Sequence, residues 1–409
     1  MKIVYLVHQF YPEFQAGTEK FLLNTARMAQ KNGHKVHVLT YSVSAEAGFE
    51  EEYQGCLVRN YFYQGIPVTA FHYRNEPVDL TYGLEGRSTE GFFQYWLSAQ
   101  APDLVHVGHT MRVNPFITAA VELGIPYVVT ATDFFLICPK VILSPNRDTL
   151  CSGPQRGESC RRLCPELAEG FISERLSIGY GILSKAAAVV VPSRFVAGIL
   201  KNELPELKPL VNNHGIRAGD LSRNERHYTN GDALTFGYIG NLAYHKGVHV
   251  LVKAFNAVPQ EDARLLLFGS GEEGYVKSLK ALTENDRRIE FRGSFSTGEL
   301  RKAHSQMDVL VAPSVCYETY SLSVHEAMLA NIPVIVSDLG GMTEKIENGV
   351  NGLTFKAGDV NELAEQLKKV SENPSLLNSI KQQVSLHTII PTIEQEYNLY
   401  QRLYERIVG

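Results

Sequence analysis

The sequence predicts an α/β fold in two domains, on three observations. Short β-rich runs alternate with longer amphipathic stretches from end to end, the pattern of parallel strands joined by crossover helices. The 409 residues are enough for about two domains of ~100–200 residues each. A polar interval from Asn212 to Gly231, containing Arg217, Asp220, Arg223, Asn224, Glu225, Arg226 and His227 but few large apolar residues, separates two series of strands.

Taken in order, Ile3–Val7 is an apolar run that ends at polar His8-Gln9 with no small-residue cleavage site after it, so it reads as a buried strand and not as a leader. Thr18 is the expected N-cap of a helix carrying Leu22, Ala26 and Ala29 on one side. Further strands are expected at Lys35–Thr40, Leu104–Val107, Tyr127–Thr130 and Ala188–Val191. The second series is Leu234–Ile239, Leu265–Phe268, Ile289–Phe291, Val309–Ala312 and Pro333–Val336. Val360–Leu377 is expected to form one helix, with Leu363, Leu367 and Val370 on a face. Thr392–Val408 follows Pro391 and carries Ile393, Tyr397, Tyr400, Leu403 and Ile407 at helical spacing, so it reads as a terminal helix. The expected domains are 1–211 and 212–389, both Rossmann-like, followed by the helix of 390–409.

Apolar residues at 44% and charged residues at 20% match an ordinary globular chain, which excludes wholesale disorder. A net charge of −5 gives no global attraction to nucleic acid. No apolar stretch approaches the ~20 residues of a membrane-spanning helix, so a soluble, cytoplasmic protein is expected. Six cysteines without an export signal make a disulfide framework unexpected. Function is expected in strand-to-helix loops, because two α/β domains facing across a cleft put ligands at the carboxyl ends of their strands.

The strongest signal is Pro313-Ser314-Val315-Cys316-Tyr317-Glu318-Thr319-Tyr320-Ser321-Leu322-Ser323-Val324-His325-Glu326. It follows a strand and opens a helix, so the amides of Tyr320, Ser321 and Leu322 form an anion site with the helix dipole behind them. Glu318 and Glu326 bracket that site, and carboxylates beside a phosphate suit hydroxyl donors such as those of a ribose or a sugar. The alternative is a capping box, Ser323-x-x-Glu326, with Glu318 a solvated loop charge. In Gly237-Tyr238-Ile239-Gly240-Asn241-Leu242-Ala243-Tyr244-His245-Lys246-Gly247 a strand ends in a glycine turn, and Lys246 can neutralise a leaving diphosphate. An ordinary surface loop is its alternative. His109 stands just beyond the strand Leu104–Val107, and Asp133 follows the strand Tyr127–Thr130. Cys138, Cys151, Cys160 and Cys164 share one segment rich in proline and glycine. Four thiols so grouped have the donor set of a tetrahedral structural zinc, with free thiols or a stress-induced disulfide as alternatives.

These blocks, with Leu265-Leu266-Leu267-Phe268-Gly269-Ser270-Gly271, Ile289-Glu290-Phe291-Arg292-Gly293 and Asn331–Ser337 through Glu347–Leu353, resemble the retaining glycosyltransferases of family 4 and their E-x7-E motif. The resemblance implies the GT-B fold, two Rossmann-like domains with the last helix returning to the first, and a transfer of sugar from a nucleoside diphosphate sugar to an acceptor. It implies that Glu326 binds the ribose, Glu318 the transferred sugar, Lys246 the diphosphate, and His109 the donor sugar near the reacting centre. Gly17 matches one of the glycines of the family's first loop, with Ala16 at the other. Asn241 stands where the family has an arginine, so either another cation, with Arg292 the candidate, helps or leaving-group stabilisation is weaker. Thr319 and Ser321 replace glycines common after the first glutamate, and Thr132 replaces the histidine that precedes Asp133. No Asp-x-Asp occurs, so no metal is expected to be required for catalysis. The acceptor is left open among a glycan, a lipid-linked glycan, with peripheral membrane contact, and a small metabolite. The rival readings are a GT-B-like epimerase or phosphorylase and a non-catalytic sugar-nucleotide-binding protein.

Overall fold

The computed structural model describes residues 1–44, 48–76, 80, 83–84, 90–147, 149–283, 286–294 and 297–409. Two compact units emerge: Met1–Pro145, Thr149–His214 and Ile393–Gly409 form unit 1, and Gly215–Thr392 with Asn146–Asp148 forms unit 2.

Unit 1 contains β1 (Lys2–Val7), β2 (Lys35–Tyr41), β3 (Glu51–Tyr53), β4 (Cys56–Tyr63), β5 (Ile66–Tyr73), β6 (Leu104–Val107), β7 (Tyr127–Thr130), β8 (Ala188–Val191) and β9 (Leu210–Val211). Its helices are α1 (Gly17–Lys31), α2 (Glu90–Gln100), α3 (Asn114–Glu122), α4 (Glu158–Leu163), α5 (Glu169–Lys185) and α6 (Arg194–Glu203). Unit 2 has β10 (Thr235–Ile239), β11 (Arg264–Phe268), β12 (Ile289–Gly293), β13 (Val309–Ala312), β14 (Val334–Ser337) and β15 (Leu353–Phe355). With them come α7 (Val248–Phe255), α8 (Glu273–Leu282), α9 (Leu300–His304), α10 (Leu322–Leu329), α11 (Val360–Glu372) and α12 (Leu376–His387). The last helix, α13 (Ile393–Val408), belongs to unit 1.

The unit 1 sheet runs β3-β4-β5-β2-β1-β6-β7-β8-β9, parallel except for the β3–β4–β5 meander. The unit 2 sheet is parallel throughout, in the order β12-β11-β10-β13-β14-β15. Helices cover both faces of such sheets, and this is why central strands read as unbroken apolar runs: Ile3 to Val7 and Val309 to Ala312 are buried residue by residue. Tyr397, Tyr400, Leu403 and Tyr404 of α13 complete the core around Ile3, Tyr5 and Val7. His106 of β6 ties that helix down, bonding the Tyr404 hydroxyl through Nδ1 and Thr130 through Nε2.

All ten strands expected from the sequence are present, and the differences lie elsewhere. The β3–β4–β5 meander was not expected. Its connections are two-residue turns, Gln54-Gly55 and Gln64-Gly65, with positive φ at both positions (47° and 81°, 49° and 82°), the type I′ geometry that matches strand twist. Glutamine at the first position is not the usual Asn or Asp signal. The helix expected at Val360–Leu377 is two helices, broken at Asn373-Pro374, because proline lacks an amide hydrogen and disfavours helix in the residue before it. The N-cap of α1 is Ala16, not Thr18. Glu19 Oε2 instead accepts from the Ala16 amide at 2.8 Å, and Thr18 sits inside the helix with its hydroxyl 2.9 Å from that of Thr132. Among the described residues no helix is long and apolar enough to cross a membrane.

Candidate active site

Winding reverses once in each sheet, between β10 and β13 in unit 2 and between β1 and β6 in unit 1. At such switch points the loops leaving adjacent strands diverge and open a crevice at their carboxyl ends.

In unit 2 the loop after β10 carries Lys246 and the loop after β13 carries Glu318, and the two side chains meet across the switch point at 2.8 Å. The loops also touch through their backbones, Val315 donating to the His245 carbonyl at 2.9 Å. Gly247, at φ 68°, is required here, since a Cβ on it would lie 1.8 Å from the Pro313 carbonyl oxygen. Ser314 Oγ donates to Glu318 Oε1 at 2.6 Å, and the Gly341 amide to the Glu318 carbonyl at 2.7 Å. Lys246 and Glu318 keep 29% and 13% of their side-chain surface exposed, so the pair is shielded but reachable. Burial pulls the Lys246 ammonium down and pushes the Glu318 carboxyl up, but their mutual charge and hydrogen bond win. Lys246 is held above the usual lysine value and Glu318 below the usual carboxylate value, with Ser314 and His245 adding to the latter.

The same loop opens α10, eight residues long, whose N-cap is Ser321. Ser321 has φ 65° and ψ 88° and makes no side-chain cap bond, so no cap occupies the first amides of the helix. The Ser323–Glu326 capping box therefore does not form: Ser323 is the second residue inside the helix, and Glu326 is buried one turn in. Leu322 packs against the unit 2 core. Tyr320 is 2% exposed and its ring stacks on His325 with centroids 3.9 Å apart. Asn241 is exposed at the end of β10, where its carbonyl accepts from the Tyr238 hydroxyl at 2.7 Å. Arg292 lies on the edge strand β12, two strands from β10, and pairs with Glu290 at 2.8 Å.

The unit 1 switch point is built from imidazoles. His8, after β1, and His109, after β6, stack with ring centroids 3.9 Å apart. His109 Nδ1 accepts from the Met111 amide at 3.1 Å, so the proton resides on Nε2 and is donated to Asp133 Oδ2 at 2.7 Å. Asp133 Oδ1 accepts from the Phe135 amide at 2.9 Å, which fixes the carboxylate. Both ring nitrogens of His109 are thus engaged within unit 1. Gly17 is the first residue of α1, beside this group.

Sequence reasoning overlooked His8, Glu19, Thr110 and Arg112. Buried His8 Nδ1, Glu19 Oε1, Thr110 Oγ1 and Arg112 Nη1 have no hydrogen-bond partner among the described residues, and buried polar atoms in that condition mark where a ligand or water belongs. Burial, with His109 and Arg112 nearby, holds His8 well below the usual histidine value. Burial also raises Glu19, against hydrogen bonds that lower it, and its carboxylate lies 3.8 Å from His8. The available signal was positional: His8, like His109, is a polar residue directly at the end of a central strand.

Among the described residues no three or more His, Cys, Asp or Glu side chains are arranged to hold a metal ion. The tetrahedral zinc expected at Cys138, Cys151, Cys160 and Cys164 is therefore not the arrangement found. At about 2.3 Å per Zn–S bond, such a site needs sulfurs about 3.8 Å apart. All four are free thiols that line one cavity of unit 1.

Two doubly wound α/β units, each with polar groups gathered at its switch point, define a GT-B glycosyltransferase fold. The chain shares it with Anabaena Alr3699/HepE, solved in complex with UDP and glucose, at 19% identity and a TM-score of 0.71 over 99% of both chains. The chain belongs to the glycosyltransferases: residues 16–204 match the glycosyl transferase 4-like domain and residues 233–373 the glycosyl transferases group 1. The glycosyltransferase MJ1607 of Methanocaldococcus jannaschii is 35% identical over 118 residues, 28% of this chain and 30% of that one. Glycogen synthase of Pseudomonas fluorescens is 27% identical over 181 residues, 42% of this chain and 34% of that one. The matches thus span about a third of the length of these two relatives.

Proposed function

We propose that the chain transfers a sugar from a nucleoside diphosphate sugar to an acceptor hydroxyl with retention at the anomeric carbon. The observation that carries this reading is the Lys246–Glu318 pair, set across the unit 2 switch point beside the uncapped amides of α10. An arriving diphosphate competes with Glu318 for the Lys246 ammonium while the α10 amides take its remaining oxygens. Glu318, released, accepts from a hydroxyl of the transferred sugar, and Glu326 from the ribose. The bond from the anomeric carbon to the phosphate oxygen breaks through an oxocarbenium-like state, and the acceptor oxygen bonds on the same face. The acceptor proton passes to the departing phosphate oxygen. Lys246 interacts more strongly as charge builds there, which lowers the barrier. HepE was solved with UDP and glucose, so UDP-glucose is the first donor to try.

The test is equilibrium binding of UDP-glucose, GDP-mannose and ADP-glucose, each with and without EDTA, followed by NMR of the product's anomeric configuration. One donor should bind regardless of chelation and yield an α-linked product from an α-donor. An isomerised or phosphorolysed sugar would mean an epimerase or phosphorylase, and tight binding without turnover a sensor. If no nucleoside diphosphate bound at all, the reading of the α10 terminus would fail.

A further inference from the structure

The segment between β7 and α5 in unit 1 is not explained by sugar transfer. Its regular structure is the six-residue α4, yet it brings Cys138, Cys151, Cys160 and Cys164 to one cavity walled by Ile137, Leu143 and Leu167. Cys151, Cys160 and Cys164 are each 8% exposed, and none of the four is in a disulfide. Of the ten non-glycine residues with left-handed φ among those described, four fall between Cys138 and Cys164: Val141, Leu143, Gln155 and Arg156. A β-branched valine at φ 67° is an outlier, and conformations of this kind persist only where their surroundings over-determine them. Two prolines follow cysteines directly, Cys138-Pro139 and Cys160-x3-Cys164-Pro165, the second reproducing the C-x3-C-P spacing that recurs among iron–sulfur ligands.

We propose that these four cysteines ligate a cubane iron–sulfur cluster that staples the β7–α5 segment. The thiols face one cavity but are not arranged around a point, as a single ion requires. A cubane holds its thiolates on its outer corners, with the inorganic core between them, and so takes ligands too far apart for one zinc. A cluster with four thiolates is a dianion in its resting state and needs compensation in an apolar pocket. Two cations lie at this segment. Arg175 of α5 is buried and donates to the Phe135 carbonyl. Lys140 lines the same cavity as the four thiols and pairs with Glu166 at 2.5 Å. The cluster's role here is mechanical: Asp133 and Phe135, which orient His109, lie immediately before Cys138. This inference does not depend on the transferase reading.

The full chain, purified without oxygen and supplied with iron and sulfide, is assayed for iron, acid-labile sulfide and zinc, and for the cluster's visible absorbance and its bleaching by dithionite. About four irons and four sulfides per folded chain are expected. Cys160→Ala and Cys164→Ala should each lose at least half of the iron, while Cys56→Ala, outside the cavity, should retain it. Since a cysteine variant can also lose metal by misfolding, the deciding measurement is made on the unaltered chain: the iron-loaded protein should melt at a higher temperature than the same protein stripped of iron. One zinc per chain without sulfide would overturn the proposal, as would a folded chain that takes up no iron under these conditions.

Discussion

The two switch points occupy equivalent positions in two similar sheets, yet they are furnished in opposite ways. In unit 2 full charges face each other, Lys246 on Glu318, next to a helix start whose cap residue is forced into a left-handed conformation. In unit 1 a histidine held neutral is stacked on a second whose nitrogens are both engaged, beside a buried carboxyl whose pKa is raised. The backbone architecture fixes where a ligand goes; the loop residues decide its chemistry. Unit 2 sets a paired cation and anion beside a helix start, whereas unit 1 gathers groups with unused hydrogen-bonding capacity and little charge.

The comparison breaks most visibly at Lys246. On the proposed function its loss removes a cation from the leaving diphosphate, and a charged hydrogen bond of ~1.5–3 kcal/mol corresponds to at least about tenfold in rate. Lys246→Ala should therefore lower turnover at saturating donor by at least about tenfold. It should also lower the melting temperature, because a shielded Glu318 carboxylate without its cation costs about 1–3 kcal/mol. Adding Glu318→Gln should return most of the stability and none of the turnover. Unchanged turnover in Lys246→Ala would make the pair a structural brace and erase the contrast between the two units.

Unit 1 should respond to a change at Asp133 more mildly and in a different parameter. Asparagine at 133 has one carbonyl oxygen for two donors, the His109 ring and the Phe135 amide, so His109 loses its anchor. Asp133→Asn is expected to reduce turnover by about tenfold or less while leaving the affinity for free nucleoside diphosphate unaltered. A loss of nucleotide affinity equal to that of a unit 2 variant would contradict the division of labour.

What could be read from the sequence follows the same division. Central strands buried on both faces leave a plain apolar signature, and Glu318, Lys246 and the α10 terminus stand in contiguous sequence blocks that the fold brings together. The meander escaped because its turns use Gln-Gly, and the break at Pro374 because the apolar periodicity of α11 runs on toward Leu377. The imidazole stack and the His109–Asp133 pair were illegible for a different reason. Their members are separated by 101 and 24 positions in sequence and meet only because β1, β6 and β7 are neighbours in the sheet. Nor does sequence distinguish a cysteine that faces a shared cavity at single-ion distance from one that stands further back.

Acid should separate the units as well. Burial lowers His8, His37 and His106 in unit 1, the last two to about 4 and about 3, while in unit 2 His245 is lowered by burial and Lys246. An imidazole with a folded pKa below its unfolded value of ~6.5 contributes stability that is complete above that pH and is lost as the pH falls toward the folded value. The Glu318 contribution, from a depressed carboxyl, is retained until the pH drops below its unfolded value of about 4.5. Between pH 6.5 and 5, hydrogen exchange should therefore show unit 1 losing more protection than unit 2, first where α13 meets His106. Equal losses would mean that the buried imidazoles do not govern acid stability.

The smallest expected effect lies at Ser321. A non-glycine residue at φ 65° bears a steric penalty of about 1–2 kcal/mol, and glycine there avoids it. Glycine also adds about 0.5–1 kcal/mol of backbone entropy to the unfolded chain, so the two terms largely offset. Ser321→Gly is thus expected to raise stability by about 1 kcal/mol or less, a shift of a few degrees at most in the melting temperature. Because Ser321 makes no side-chain cap bond, the change removes no hydrogen bond that holds α10, and donor affinity should stay within about twofold. The serine hydroxyl lies 3.5 Å from that of Ser323, too far for more than a weak contact. If Ser321→Gly instead cut donor affinity tenfold with stability unaltered, the hydroxyl itself would be a ligand for the donor, and the unit 2 site would depend on a side chain and not only on the amides of its helix.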